Sequence, residues 1–242
     1  MFPISKKPLL YPPLNSFPTR IQASEMLSFP RGVDPSDGLH FYADFANPDC
    51  MAGYETSFFD LGPTRIAFNN TNGYTYNNSA IKSVGLSGGQ RFNLPAAAFR
   101  YGALPVTVSC VCSFRSGANA TVFMIGTTST NQAQGLGLSS SQIAYFGGGT
   151  TVVLGPAVEY GKWYHITGTS NGTLLRLYVN GILVNTSTLG SYGISSGAAL
   201  IGVNLSLANQ FVGEIQDVRL YYKTLSDHEV LQSYYKKIAM MP

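Results

Sequence analysis

Apolar and polar residues alternate with a period of two along most of this chain, and that period predicts β-strands. The cleanest run covers residues 106–114. Val106, Val108, Cys110, Cys112 and Phe114 fall on one face, and Thr107, Ser109 and Ser113 on the other. In residues 174–184, Leu175, Leu177 and Val179 oppose Leu174, Arg176 and Tyr178. Asn180-Gly181 then supplies a type I′ hairpin turn, which needs positive φ at both central residues, before Ile182 and Val184 resume the alternation. Just upstream, Trp163, His165 and Thr167 share one face against Tyr164 and Ile166. Shorter strands are predicted at 39–45, 121–126, 135–139, 142–146 and 150–154, divided by Gly, Ser and Asn turns. Residues 211–222 read as a long strand whose parity changes between Ile215 and Val218, so a β-bulge is expected at Gln216-Asp217.

One segment breaks the pattern. Ser226 and Glu229 form a capping box, Val230, Leu231 and Tyr234 follow as an apolar stripe, and Lys236 and Lys237 end the run. This predicts a helix over about residues 226–237, with acids at its start and bases at its end as the macrodipole favours. Many short strands, frequent turns and one helix argue for an all-β, two-sheet antiparallel sandwich or jelly roll.

The first 37 residues are of another kind. Seven of the thirteen prolines lie between Pro3 and Pro35, which excludes a helix or a central strand. Apolar anchors stand between them, including Phe2, Leu10, Tyr11, Phe17 and Phe29. A disordered tail is poorer in such residues. Residues 1–37 are therefore expected to be an extended arm that lies on its own domain or a neighbour, with those five side chains as partner-binding anchors. Residues 38–242 are expected to form the sandwich domain and its helix.

Composition narrows the function. Only 11% of residues are charged and the net charge is +3, so nucleic acid is not an expected partner. The excess sits in the arm, where Lys6, Lys7, Arg20 and Arg31 face only Glu25 within the first 33 residues. No secretory leader and no membrane-spanning run is read from the sequence. Cys50, Cys110 and Cys112 do not make a closed disulfide set and are expected to be buried free thiols. The Asn-x-Ser/Thr triplets at Asn69, Asn77, Asn119, Asn171, Asn185 and Asn204 are read as turn formers.

These residues carry a resemblance. Lys162-Trp163-Tyr164-His165-Ile166 through Leu177-Tyr178-Val179-Asn180-Gly181, then Phe211 to Tyr221 and Leu225 to Val230, resemble the laminin-G-like, concanavalin A-like family. Residues 38–48, Phe59-Asp60-Leu61-Gly62 and residues 87–94 resemble the front half of such domains in tailed-bacteriophage virion proteins. The resemblance implies a concanavalin A-like jelly roll. It also implies a non-enzymatic virion structural protein, either a capsid decoration or a tail-associated protein. Such a protein would be assembled in the host cytoplasm and held to other virion proteins by the arm. The alternative it leaves open is a lectin-like adhesion module that binds host-surface glycans.

Catalytic chemistry finds little footing. The Glu-x-Asp-x-x-Glu motif of the related glucanases is missing, and Glu214 and Asp217 are the only close carboxylates on a predicted strand. A spacing of three puts them on opposite faces unless the bulge intervenes. His40, His165 and His228 are scattered. No cofactor is expected. Asp44, Asp49, Asp60 and Asp217 are the donors a calcium ion would have to use. For sugar stacking or protein contact the candidates are Tyr74, Tyr76, Tyr101 and Tyr192, all in Gly/Asn-rich segments.

Overall fold

A computed structural model describes residues 36–51, 57–129, 132–148, 151–190 and 192–238. The proposed anchors Phe2, Leu10, Tyr11, Phe17 and Phe29 lie outside the described residues. Among the described residues, sixteen strands form two antiparallel sheets. The first sheet contains β1 (Leu39–Asp44), β4 (Thr75–Asn77), β5 (Ser83–Leu86), β7 (Val106–Ser116), β12 (Trp163–Ser170), β13 (Leu174–Val179), β14 (Ile182–Thr188) and β16 (Val212–Tyr221). Its order is β14-β13-β12-β7-β16-β5-β4, with β1 sharing the same edge of β16 as β5. The second sheet contains β2 (Ser57–Phe59), β3 (Ala67–Thr71), β6 (Arg91–Leu94), β8 (Ala120–Gly126), β9 (Ala133–Ser139), β10 (Gln142–Gly147), β11 (Thr151–Ala157) and β15 (Ala198–Ile201). Its order is β11-β10-β9-β8-β15-β6-β3-β2.

The core lies between the sheets and follows the alternation. Val106, Val108, Cys110, Cys112 and Phe114 of β7 are fully buried, as are Leu175 and Leu177 of β13 and Ile166 of β12. The thiols of Cys110 and Cys112 face the same way, 3.9 Å apart, and all three cysteines are free and buried. Burial pushes the Cys50 thiol up to about 12, so it is a packed apolar group and not a nucleophile. Asn180 and Gly181 both have positive φ, 51° and 77°, as the hairpin requires. Asn77, Asn119, Asn171 and Asn204 accept backbone N–H bonds through their side-chain oxygens, as turn formers do, whereas Asn69 and Asn185 lie inside β3 and β14, contrary to the turn expectation.

The bulge falls where the parity break placed it. Ile215 pairs with Cys112 and Asp217 with Val111, with the register shift between them. Three residues of β16, Ile215 to Asp217, thereby oppose two of β7. The helix, α1 (Asp227–Ile238), begins with the predicted box. Ser226 N–H donates to a Glu229 carboxylate oxygen at 2.8 Å and Glu229 N–H donates back to Ser226 Oγ at 3.3 Å. The helix covers part of the outer face of the first sheet, where Val230 and Leu225 meet Tyr178 and Tyr221 in a small second core.

Strand pairing between 57 and 86 was not anticipated. β2 to β5 are three to five residues long, too short to show a period. Among the described residues no helix is long and apolar enough to cross a membrane.

Candidate functional site

The antiparallel register lines up side chains in rows across the outer face of the first sheet, perpendicular to the strands. Two rows run under α1. The first holds His165, Val111, Asp217 and Asp44, and the second Thr167, Ser109, Arg219 and Tyr42. Asp217 and Asp44 stand directly opposite each other, an arrangement that costs energy for like charges. Lys237 of α1 resolves it by reaching down to 2.5 Å from Asp217 and 3.7 Å from Asp44. Arg219 lies 3.3 Å from Asp217 and stacks 4.4 Å from the centre of the Tyr42 ring. Burial opposes ionisation of Asp217, but Lys237 and Arg219 outweigh it and hold the carboxyl below its ordinary value. Beside this cluster, His165 Nε2 lies 3.1 Å from Ser109 Oγ and 3.4 Å from Ser233 Oγ. A hydroxyl, an imidazole and a carboxylate are thus neighbours, yet each of the three groups is at most 2% exposed. No substrate reaches them, and their role is to seat α1.

The next row is partly open: Ser113 is buried, Trp163, Glu214 and Gly85 are half-buried, and Thr75 is exposed. It runs Trp163, Ser113, Glu214, Gly85, Thr75 across β12, β7, β16, β5 and β4. Four inter-strand spacings make it roughly 19 Å long. Trp163, the only tryptophan, is half-buried at one end, and Thr75 is exposed at the other. Glu214 accepts hydrogen bonds from Asn77 Nδ2 at 2.8 Å and Ser83 Oγ at 3.0 Å, and pairs with the exposed guanidinium of Arg115. Burial works against its charge, but those donors prevail and keep the carboxyl below its ordinary range. Thr75, Asn77, Gly85, Ser87, Arg115 and Glu214 line a cleft of about 80 Å³. Enclosed ligand pockets begin at roughly 300 Å³, so this is a shallow surface site.

The bulge puts Glu214 and Asp217 on the same outer face, which the simple spacing denied. They still do not form a catalytic pair. Asp217 is sealed beneath α1 and Glu214 is held ionised by its own partners. The histidines are not brought together: His40 Nε2 meets the Ala98 carbonyl at 2.7 Å and His228 meets Gln232 at 2.8 Å.

Of the possible calcium donors, Asp44 and Asp217 come together, but on the Lys237 ammonium. Asp60 is caged by the N–H groups of Tyr42, Gly62 and Ile66, Asp44 contacts Tyr42 and Ala46, and Asp217 serves Lys237. Among the described residues no three His, Cys, Asp or Glu side chains are grouped to hold a metal ion. Three of the four candidate tyrosines correct the expectation of exposed loop rings. Tyr192 is buried, Tyr74 packs 5.3 Å from Phe58, and Tyr101 OH donates to the Ala96 carbonyl. Tyr76 is 41% exposed but sits in β4, on the sheet edge. Trp163 and Arg115, not named among those contact candidates, border the row instead. Only the cross-strand register, absent from a local reading, joins them to Glu214.

Two stacked antiparallel sheets with an open polar strip on one outer face define a lectin-type sandwich. Residues 86–231, more than half of the chain, match Laminin_G_3, the concanavalin A-like lectin/glucanases superfamily, and the chain belongs to that family. A stretch of human usherin is 31% identical over 78 residues, 29% of this chain but 2% of usherin. Among solved structures, domain 4 of the Geobacillus stearothermophilus arabinanase AbnA, in complex with arabinotriose, has a TM-score of 0.63 at 18% identity. That match covers 81% of this chain and 98% of the domain. The binding domain of Paraclostridial Mosquitocidal Protein 1 has a TM-score of 0.64 at 16% identity, over 82% of this chain and 52% of that one. Trypanosoma rangeli sialidase gives 0.64 at 15%, over 86% of this chain and 34% of the enzyme. At such identities the likeness is one of fold.

Proposed function

We propose that this chain is a non-enzymatic, lectin-type recognition module that binds an extended glycan along the open row, carried on a virus particle by its N-terminal arm. The row itself carries the glycan reading. It offers an aromatic ring at Trp163 for the apolar face of a sugar and a glycine floor at Gly85. Around them stand the Arg115 and Thr75 side chains, with hydrogen-bonding capacity left over, and an ionised acceptor at Glu214. Its length suits a short oligosaccharide lying across the strands. The arabinotriose complex of a domain with the same fold supports the same class of ligand.

A glycan array probed with the full chain tests this reading. We expect binding to at least one oligosaccharide family, and loss of roughly tenfold or more in affinity, about 1.4 kcal/mol, in Trp163→Ala with unchanged thermal unfolding. No glycan retained by the intact chain, or equal retention by Trp163→Ala, overturns it.

The placement on a particle rests on the resemblance of residues 38–48, 59–62 and 87–94 to tailed-phage virion domains, and on the apolar anchors of the arm. Deleting residues 1–33 is expected to abolish incorporation into particles while leaving glycan binding intact. Equal incorporation of the shortened chain removes the arm from the mechanism.

A further inference from the structure

The strand glycines of this fold have a steric reason, with one exception. An added methyl group would collide with the Ala120 carbonyl oxygen at Gly137, with that of Ser113 at Gly213, and with the Tyr145 ring at Gly168. At every other glycine inside a described strand it would meet a neighbouring atom at 3.1 Å or closer, except at Gly85 of β5. There it would lie 3.5 Å from the Thr75 carbonyl oxygen and 3.6 Å from Thr75 Cβ, ordinary contact distances. The φ of Gly85 is not positive, so its backbone suits other residues too.

Glycine in mid-strand is unfavourable relative to alanine, because it loses more backbone freedom on folding. Nothing in the fold offsets that loss at position 85. A strand glycine with no packing reason marks a place where another molecule approaches the backbone. Val84 and Leu86 are buried in the core, so position 85 faces outward. Glu214 and Thr75 flank it in the row, each one strand spacing away, about 4.8 Å. Ser87 and Arg115 border the same cleft.

We infer that Gly85 is the specificity-determining position of the row, a flat seat for one sugar ring, and that the sugar seated there is neutral and presents two adjacent hydroxyls. The inference rests on the glycan reading of the row. Charge selects the neutral ring. Among the described residues lining the cleft, Arg115 is the one cation and Glu214 the one anion, and they are paired. Asn77 and Ser83 hold the other Glu214 oxygen, which fixes the carboxylate in place. A ligand carboxylate would stand beside this ionised group and be repelled. A diol fits both partners. One hydroxyl donates to the Glu214 oxygen that faces Arg115, and the next accepts from a guanidinium N–H left over from the salt bridge. A side chain at 85 would lift the ring off this pair without harming the fold. Trp163 lies three strand spacings away, about 14 Å, so it touches a different sugar unit and can be tested apart.

The test compares Gly85→Ala and Gly85→Val with wild type, all as full chains, on a panel of neutral oligosaccharides with oligogalacturonate as the acidic counterpart. Wild type is expected to retain a neutral oligosaccharide roughly tenfold or more tightly than oligogalacturonate. Gly85→Ala is expected to bind it about tenfold more weakly and Gly85→Val to lose it, while both unfold at the wild-type temperature or above. A glycine needed by the fold would instead lower Tm on replacement. A lowered Tm in Gly85→Ala therefore overturns the inference. Undiminished binding by Gly85→Ala also overturns it, and leaves the glycan reading standing if Trp163→Ala still loses the ligand. Tighter binding of oligogalacturonate overturns the neutral ligand and likewise spares the glycan reading. Retention of no glycan by wild type removes that reading and the inference together.

Discussion

Asp217→Ala is expected to destabilise the domain by about 3–5 kcal/mol, a fall in Tm on the order of 10 °C for a chain of this size. The removed carboxylate is 2% exposed and faces two buried cations, Lys237 at 2.5 Å and Arg219 at 3.3 Å. Removing it leaves both charges in a region water does not reach, and that uncompensated burial sets the cost. Arg219 keeps the Tyr42 ring and Lys237 keeps the more distant Asp44, which limits the loss. A second change gives the argument its edge. Asp217→Leu combined with Lys237→Met removes an anion and a cation together, and is expected to be less damaging than Asp217→Ala alone. If the double variant loses as much as the sum of the two single ones, the charges are not coupled and the ionic account fails.

The same cluster contributes to the acid limit, beside Glu214 and Glu229, whose carboxyls are also held below their ordinary range by their donors. The Asp217 carboxyl is held below its unfolded value, so its contribution is fully present above about pH 3.9 and is lost as pH falls through the lower folded value. Stability to urea should therefore stay flat on this account from neutral pH to about 4 and decline below it in the wild type, with the acid decline blunted in the double variant. A loss that sets in near pH 6 would place the sensitivity elsewhere.

How much of this was legible before the fold was known depended on element length. β7 and β13 show their faces in sequence because five or more alternating residues average out local exceptions. The bulge at Gln216-Asp217 was readable for the same reason, as a phase error inside a long strand. The capping box at Ser226 and Glu229 is a contact three residues apart, and needs no tertiary information. By contrast, the open row joins residues from positions 75 to 214, and the cluster under α1 joins Asp44 to Lys237. Those neighbours are created by strand order, which alternation does not encode. The tyrosines show the opposite failure. Tyr74, Tyr101 and Tyr192 sit among glycines and asparagines, so composition suggested exposure, but a ring that can reach the core gains more from burial than a loop gains by showing it.

Phe92→Ala is expected to cost about 3–5 kcal/mol, measurable as a shift of the urea midpoint with little change in slope. Phe92 is fully buried and stacks on Phe45 with centroids 5.0 Å apart and planes at 28°. It also meets Phe58 edge-on at 4.9 Å, with Phe68 and Tyr74 at 5.9 and 6.1 Å. Losing the ring removes these contacts and leaves a cavity between strands from both sheets, one that rigid neighbouring rings fill poorly. Phe92→Leu, which keeps most of the volume, is expected to cost substantially less than the alanine change. A loss under 1 kcal/mol in Phe92→Ala would mean that the rings do not form one packed unit. The position of this stack bears on function. Phe45 and Phe92 lie in two of the segments that carry the resemblance to tailed-phage domains, residues 38–48 and 87–94, and the structure joins them inside the core. That signature is thus a requirement of packing, and any domain with this aromatic core would share it. The virion placement proposed above then leans on the arm alone, and the proposed glycan recognition on the open row.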